Sequence, residues 1–348
     1  MDMRVNPDDP RISWYGTVSL EQGDGWVKPW RIPFEQRVLF GKLSGPDRLL
    51  SRAGMPSGVR IAFFTDSKTV GCELEPLSSD AFPVGETQTA RLDVCCDGTL
   101  LESIPLLDRT LLHAKNLPSG EKLVEIWLPE YREVRVRSID LDDNASMRPF
   151  DDPRPRWLVY GSSNTQSRGA ESPVNTWPAV VARSCGLNLT NVAYGSECHL
   201  DSMVARMMRD LAADFITLEI GINIYINATL NARAFRAAFI GFIQILRERH
   251  VNTPIAVMSS IYSAERETTP NPAGFTLAGI REELSAAIDD LRAAGDANLY
   301  YIDGLDLFGA DMAAMLPDNL HPSGAGYKSL GERFATRVVP RVFPSKGS

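Results

Sequence analysis

From about Arg37 to Leu141 apolar and polar positions alternate with period two. Val59, Ile61 and Phe63 are interleaved with Arg60 and Ala62, Val70, Cys72 and Leu74 with Gly71 and Glu73, and Val124, Ile126 and Leu128 with Glu125 and Trp127. Successive side chains of a strand point to opposite faces, so this alternation predicts half-buried strands. Asp97-Gly98 lies between the apolar runs Leu92 to Cys96 and Leu100 to Leu106. The positive dihedrals that glycine tolerates favour a hairpin there. No stretch of this region has convincing helical periodicity. Short strands separated by turn residues predict an all-β, jelly-roll-like antiparallel sandwich as a first domain, residues 1–150.

The segment Asp142 to Pro155 reads DDNASMRPFDDPRP, rich in Asp and Pro and poor in periodic apolar residues, which predicts a domain boundary. In the second domain, residues 151–348, short apolar runs alternate with helical stretches. Strands are expected at Trp157 to Tyr160, Leu187 to Ala193, Phe215 to Ile220, Ile255 to Ser259 and Leu299 to Ile302. Helices are expected near Thr176 to Cys185, Asp201 to Ala213, Asn231 to Arg249 and Ala278 to Ala294. This order predicts a parallel α/β sheet with helices on both faces, whose ligands gather beyond the carboxyl ends of the strands.

The chain has 348 residues, 44% of them apolar, enough for two domains with sizeable cores. Its formal charge of -8 comes without a basic cluster. Neither nucleic acid nor an anionic membrane surface is therefore an expected partner, and a small molecule is. Met1-Asp2-Met3-Arg4 is followed by polar residues and prolines rather than an apolar leader core, so a cytoplasmic protein is expected. The five cysteines, Cys72, Cys95, Cys96, Cys185 and Cys198, are odd in number and lack CxxC spacing. That pattern argues against a disulfide framework and a structural zinc site.

Four short segments of the second domain carry candidate chemistry. Ser163, in Tyr160-Gly161-Ser162-Ser163-Asn164, follows a predicted strand by three residues and opens a polar turn, as suits a serine nucleophile. Its alternatives are the neighbouring hydroxyl of Ser162 and a plain helix-capping role. The loop GSSNTQSRG has only two glycines, at neither GxGxxG nor P-loop spacing, so no nucleotide cofactor is expected. His321, in Asp318-Asn319-Leu320-His321, is the candidate base. Asp318 three residues earlier can orient its ring across one tight turn. Of the other histidines, His113 falls in the sandwich, His250 ends a polar helix, and His199 reads as a core or helix-start residue with some claim on the site. No second His or carboxylate shares ligand spacing with His321, so no metal is expected. Donors for a developing oxyanion are the backbone N–H groups of Ser163 and of the Gly195-Ser196 turn, with the side-chain amide of Asn223 at the end of the Phe215 to Ile220 run.

These residues resemble the SGNH, or GDSL-type, family of serine esterases and acyltransferases over about Trp157 to Val339. The resemblance implies a three-layer α/β/α fold. Gly161-Ser162-Ser163 matches the Gly-Asp-Ser block with Ser162 in place of Asp. Asn191 to Ser196 matches the second block loosely, with Ser196 at the glycine position. Gly221-Ile222-Asn223-Ile224 keeps the Asn of the third block and loses its Asp, and Asp318 to His321 matches the fourth. A sandwich ahead of such a domain resembles a subset of the family that includes carbohydrate esterases and actinomycete tailoring enzymes of polyketide pathways. The expected function is acyl transfer through Ser163 from a small-molecule ester or thioester, to water or to an acceptor hydroxyl, with an aromatic acyl group on a polyketide-like scaffold as one form. The alternatives are a carbohydrate deacetylase and a catalytically inactive ligand-binding relative.

Overall fold

A computed structural model describes residues 3–41, 48–77, 90–106 and 110–343. The chain divides into two units. The first comprises Met1–Arg154 with Glu171–Asn175 and Asn188–Asn191, and the second Pro155–Ala170, Thr176–Leu187 and Val192–Ser348.

The period-two segments of the first unit become two six-stranded sheets. One runs Ser19–Gly23, Trp26–Trp30, Val134–Leu141, Thr69–Pro76, Leu111–Lys115, with Met3–Val5 added beside Val134–Leu141. The other runs Met147–Pro149, Arg60–Thr65, Lys122–Trp127, Arg91–Cys96, Thr99–Pro105, with Ser13–Tyr15 beside Arg60–Thr65. The pairings are antiparallel. Val59, Ile61, Phe63, Val70, Cys72, Leu74, Val124 and Ile126 form one core. Asp97 and Gly98 turn the Arg91–Cys96 and Thr99–Pro105 hairpin with φ of 47° and 77°, the two left-handed residues that a tight turn of this hand requires.

Two expectations for this region need correction. Residues Arg48–Gly54 form a helix, with Leu49, Arg52 and Ala53 buried at helical spacing. In addition, the polar positions Arg60 and Glu125 of two predicted strands are covered rather than exposed. Arg60 and Glu125 are 0% and 3% accessible. Arg60 pairs with Glu125 (Nε–Oε1 3.1 Å) and Asp152 (Nη2–Oδ2 2.9 Å), and Arg154 reaches the same two carboxylates at 2.9 and 2.6 Å. Buried charges persist only when so paired. The Asp- and Pro-rich segment is thus tied down, by this network and by the pairing of Met147–Pro149 with Phe63 to Thr65.

The α/β segments form a five-stranded sheet in the order Asn188–Asn191, Arg156–Tyr160, Phe215–Ile220, Ile255–Ser259, Leu299–Ile302, and the last four pair in parallel. The central strands Phe215–Ile220 and Ile255–Ser259 are buried at every position, as expected of strands covered on both faces. Helices Trp177–Cys185, Ala232–Arg247, Leu277–Ala293 and Gly324–Arg337 each begin after a residue whose side chain accepts a first-turn N–H. These are Thr176, Asn231, Thr276 and Ser323. Trp157 anchors the layer packing, its ring 5.9 Å from those of Trp177 and Phe215 and 5.8 Å from Phe334, with its Nε1–H donated to Thr217 Oγ1 at 2.9 Å. Among the described residues no helix is long and apolar enough to cross a membrane.

Candidate active site

Ser163 is the first residue of the short helix Ser163–Gln166, immediately past the Arg156–Tyr160 strand. Ser162 is its N-cap and accepts the Asn164 N–H at 3.1 Å. The Ser162 hydroxyl donates in turn to Glu219 Oε2 at 2.6 Å, which takes it out of competition as a nucleophile. Ser163 instead faces a base, with its Oγ 2.8 Å from His321 Nε2.

The Asp318 to His321 turn is fixed by its own acid. Asp318 Oδ1 accepts the N–H groups of Leu320 and His321 at 3.0 and 2.7 Å, an arrangement that aspartate favours in tight turns. Asn319 takes up the left-handed conformation at φ 59°. Asp318 Oδ2 lies 2.6 Å from His321 Nδ1, so the ring carries its proton on Nδ1 and turns the lone pair of Nε2 to Ser163. Burial holds the His321 pKa below the ordinary imidazole value. Asp318 opposes this shift, and the positive charges of Arg168 and Arg266 add to it. For Asp318 burial opposes ionisation, but the hydrogen bonds and charge of His321 outweigh it and keep the carboxyl below its usual range. A base already neutral near pH 7 and an ionised acid behind it are what proton removal from a serine needs.

The oxyanion side follows from which N–H groups are already engaged. Tyr194 donates its N–H to Gly161 O at 2.9 Å, which fastens the second turn to the nucleophile turn. The Gly195 N–H is committed to Gln166 Oε1 at 2.8 Å, so Gly195 has no free donor to offer. The N–H groups of Ser163 and Ser196 have no acceptor among the described residues. Ser196 adopts the left-handed conformation at φ 69°, and its carbonyl accepts from His199 Nε2 at 3.0 Å and Asn227 Nδ2 at 3.2 Å. His199, bonded also to Thr229 Oγ1 at 3.1 Å, is therefore a brace for this turn rather than a core residue or base. Asn223 Oδ1 accepts the Cys198 N–H at 3.1 Å, which orients the side chain and leaves its amide N–H groups for a ligand. Gly221 precedes it at φ 135°, where an added Cβ would also lie 2.5 Å from Ser260 Oγ, so only glycine suits this strand-to-helix corner.

Ser163, Asp318 and His321 thus come together, as do the loops that carry Ser196 and Asn223. Gln166 and Glu219 are contributions that the sequence reading passes over. Glu219 has a signal, being the one charged residue in Phe-Ile-Thr-Leu-Glu-Ile, a strand buried throughout. Gln166 has none, because its role depends on a turn 29 positions away.

Comparison with known proteins bears on the family and the fold. A model of the GDSL-like lipase/acylhydrolase family matches residues 155–339, and a model of the SsfX3 N-terminal domain matches residues 12–137. Among solved structures, the chain is similar to the salicylyl-acyltransferase SsfX3 from a tetracycline biosynthetic pathway, with 35% identity, 95% of each chain covered and a TM-score of 0.87. It shares its fold with a putative GDSL-like lipase from Bacteroides ovatus (21% identity, 98% of each chain, TM-score 0.78). The fold also recurs in a family two carbohydrate esterase from Clostridium thermocellum (13% identity, 94% of this chain and 98% of that one, TM-score 0.66). No match was found among curated proteins. With the family model covering more than half of its length, the chain belongs to the GDSL-like lipase/acylhydrolase family and is an enzyme of the esterase and acyltransferase type.

Proposed function

We propose that this enzyme transfers an acyl group from a small-molecule ester or thioester through an acyl intermediate on Ser163, and that an acceptor hydroxyl, rather than water alone, discharges it. The observation that carries the acyl-enzyme step is the Ser163 Oγ–His321 Nε2 contact of 2.8 Å backed by the His321 Nδ1–Asp318 Oδ2 contact of 2.6 Å. His321 takes the serine proton as Oγ attacks the acyl carbon, then returns it to the leaving alkoxide or thiolate as the tetrahedral intermediate collapses. In the second half it deprotonates the acceptor and protonates Ser163. Asp318 holds the tautomer and stabilises the imidazolium. The Ser163 and Ser196 N–H groups and the Asn223 amide stabilise the oxyanion of both intermediates. Similarity to a salicylyl-acyltransferase favours an aromatic acyl group and a polycyclic acceptor alcohol.

Intact mass after mixing with p-nitrophenyl acetate tests the reading. An acyl-sized adduct is expected on the wild type and not on Ser163→Ala, whose turnover should fall by about 10⁶-fold. An adduct on Ser163→Ala would overturn the assignment. Addition of a polycyclic alcohol should divert product from free acid to ester, and a product mixture unchanged by any acceptor would leave only the esterase reading.

A further inference from the structure

Glu219 is 0% accessible, one residue from the carboxyl end of a strand otherwise made of Phe, Ile, Thr and Leu. Carboxyl groups are almost never buried so fully without partners that require them. Its partners all belong to the nucleophile turn. Oε2 accepts the Ser162 N–H at 2.8 Å, the Ser162 Oγ–H at 2.6 Å and the Thr165 Oγ1–H at 3.2 Å. The turn leaves room for this carboxyl only because residue 161 is glycine. A Cβ there would lie 2.9 Å from Glu219 Oε2 and 2.5 Å from Thr165 Oγ1. The same residue reaches the oxyanion side through its backbone, since Glu219 O accepts from Cys198 Sγ at 3.3 Å and the Cys198 N–H orients Asn223. Oε1 has no partner among the described residues.

We infer that Glu219 is a positioning residue, whose buried carboxyl gathers the hydrogen bonds of Ser162 and Thr165 and thereby fixes the direction of the Ser163 side chain and N–H. It takes no part in proton transfer. The carboxyl comes from Phe215–Ile220, the parallel neighbour of the Arg156–Tyr160 strand that leads into the turn. Burial raises the Glu219 pKa, and the hydrogen bonds from Ser162 and Thr165 oppose that shift. An amide of the same shape supplies an equivalent acceptor.

The inference rests on Ser163 as the acylated residue, and the test separates the two. Acylation rates with p-nitrophenyl acetate would be compared for wild type, Glu219→Met, Glu219→Gln, Ser162→Ala and Ser163→Ala, with circular dichroism to confirm folding. Glu219→Met is expected to lower kcat by about 10²-fold at unchanged KM, the effect of a misplacement near 1 Å. Glu219→Gln should restore kcat to within a few fold, and the acid limb of the pH profile should not move. Folded Glu219→Met with wild-type kcat would make Glu219 a core residue only, since an apolar side chain of similar volume replaces a purely structural carboxyl without loss. Glu219→Gln as impaired as Glu219→Met would also overturn the inference. If Glu219→Met does not fold, Ser162→Ala decides, a fall in kcat at constant KM supporting the inference and an unchanged kcat refuting it. An adduct on Ser163→Ala would sink the nucleophile assignment, whereas its absence alongside an unimpaired Glu219→Met would sink this inference alone.

Discussion

Replacing Asn223 by alanine deletes its amide donor, together with the acceptor of the Cys198 N–H, and leaves the Ser163–His321–Asp318 chain intact. Its expected cost is a fall of about 10²–10³ in kcat with KM nearly constant, because the donor strengthens its bond only as charge builds on the acyl oxygen. The same physics bears on the adjacent turn. Replacement of Gly195 should act only through distortion, since its N–H is already held by Gln166. The pH dependence follows from the charges around His321. Burial, with Arg168 and Arg266, disfavours the imidazolium, so the catalytically competent neutral ring persists as pH falls. The acid limb of kcat/KM should accordingly lie below the ordinary histidine value of about 6.5. Arg168→Gln and Arg266→Gln each remove a positive charge that opposes protonation, so both should move that limb to higher pH. A limb that shifts downward or not at all in both variants would show that these arginines do not act on the ring.

At the scale of elements, the helices Trp177–Cys185, Ala232–Arg247 and Leu277–Ala293 are legible in the sequence because each is apolar on the face it buries and opened by a capping Thr or Asn, and the parallel strands because each is a short apolar run. The helix at Arg48–Gly54 is not legible. It has two turns, and one of its buried positions is Arg52, whose guanidinium lies 5.1 Å from the Tyr131 ring centre. The half-buried reading departs from the structure at Arg60–Thr65 and Lys122–Trp127 for a related reason. Alternation reports which residues are polar, whereas the burial of Arg60 depends on Asp152, 92 positions away. In the candidate site, Asp318 and His321 could be read because a three-residue turn confines their pairing. The choice between Gly195 and Ser196 could not, since it depends on Gln166. Trp157 tests the layer packing that holds these elements together. Trp157→Ala leaves a cavity between Trp177, Phe215 and Phe334 and orphans Thr217 Oγ1. A loss of about 3–5 kcal/mol in a urea titration is expected.

For the whole molecule, the chain order and the units do not coincide, because Glu171–Asn175 and Asn188–Asn191 belong with Met1–Arg154. Charged side chains of the first unit use these returning segments as partners. Asp93 Oδ2 accepts the Val174 N–H at 2.9 Å, Arg31 Nη1 donates to Asn191 O at 3.1 Å, and Arg60 Nη2 donates to Asn188 Oδ1 at 2.8 Å. Arg31, Arg60 and Asp93 are each 0% accessible, so water does not compete for these bonds in the intact chain. Hydrogen bonds to charged groups contribute about 1.5–3 kcal/mol each. Losing three of them removes a large part of the 5–15 kcal/mol that typically separates folded from unfolded domains. A fragment cut at Arg154 keeps every sandwich strand yet lacks these partners. Hydrogen exchange in peptides spanning Arg60–Thr65 and Arg91–Cys96 is therefore expected to be at least tenfold faster in the fragment 1–154 than in the full chain. Equal protection would mean that the two returning segments contribute nothing to the stability of the sandwich, and that the cut at Arg154 separates a self-sufficient domain.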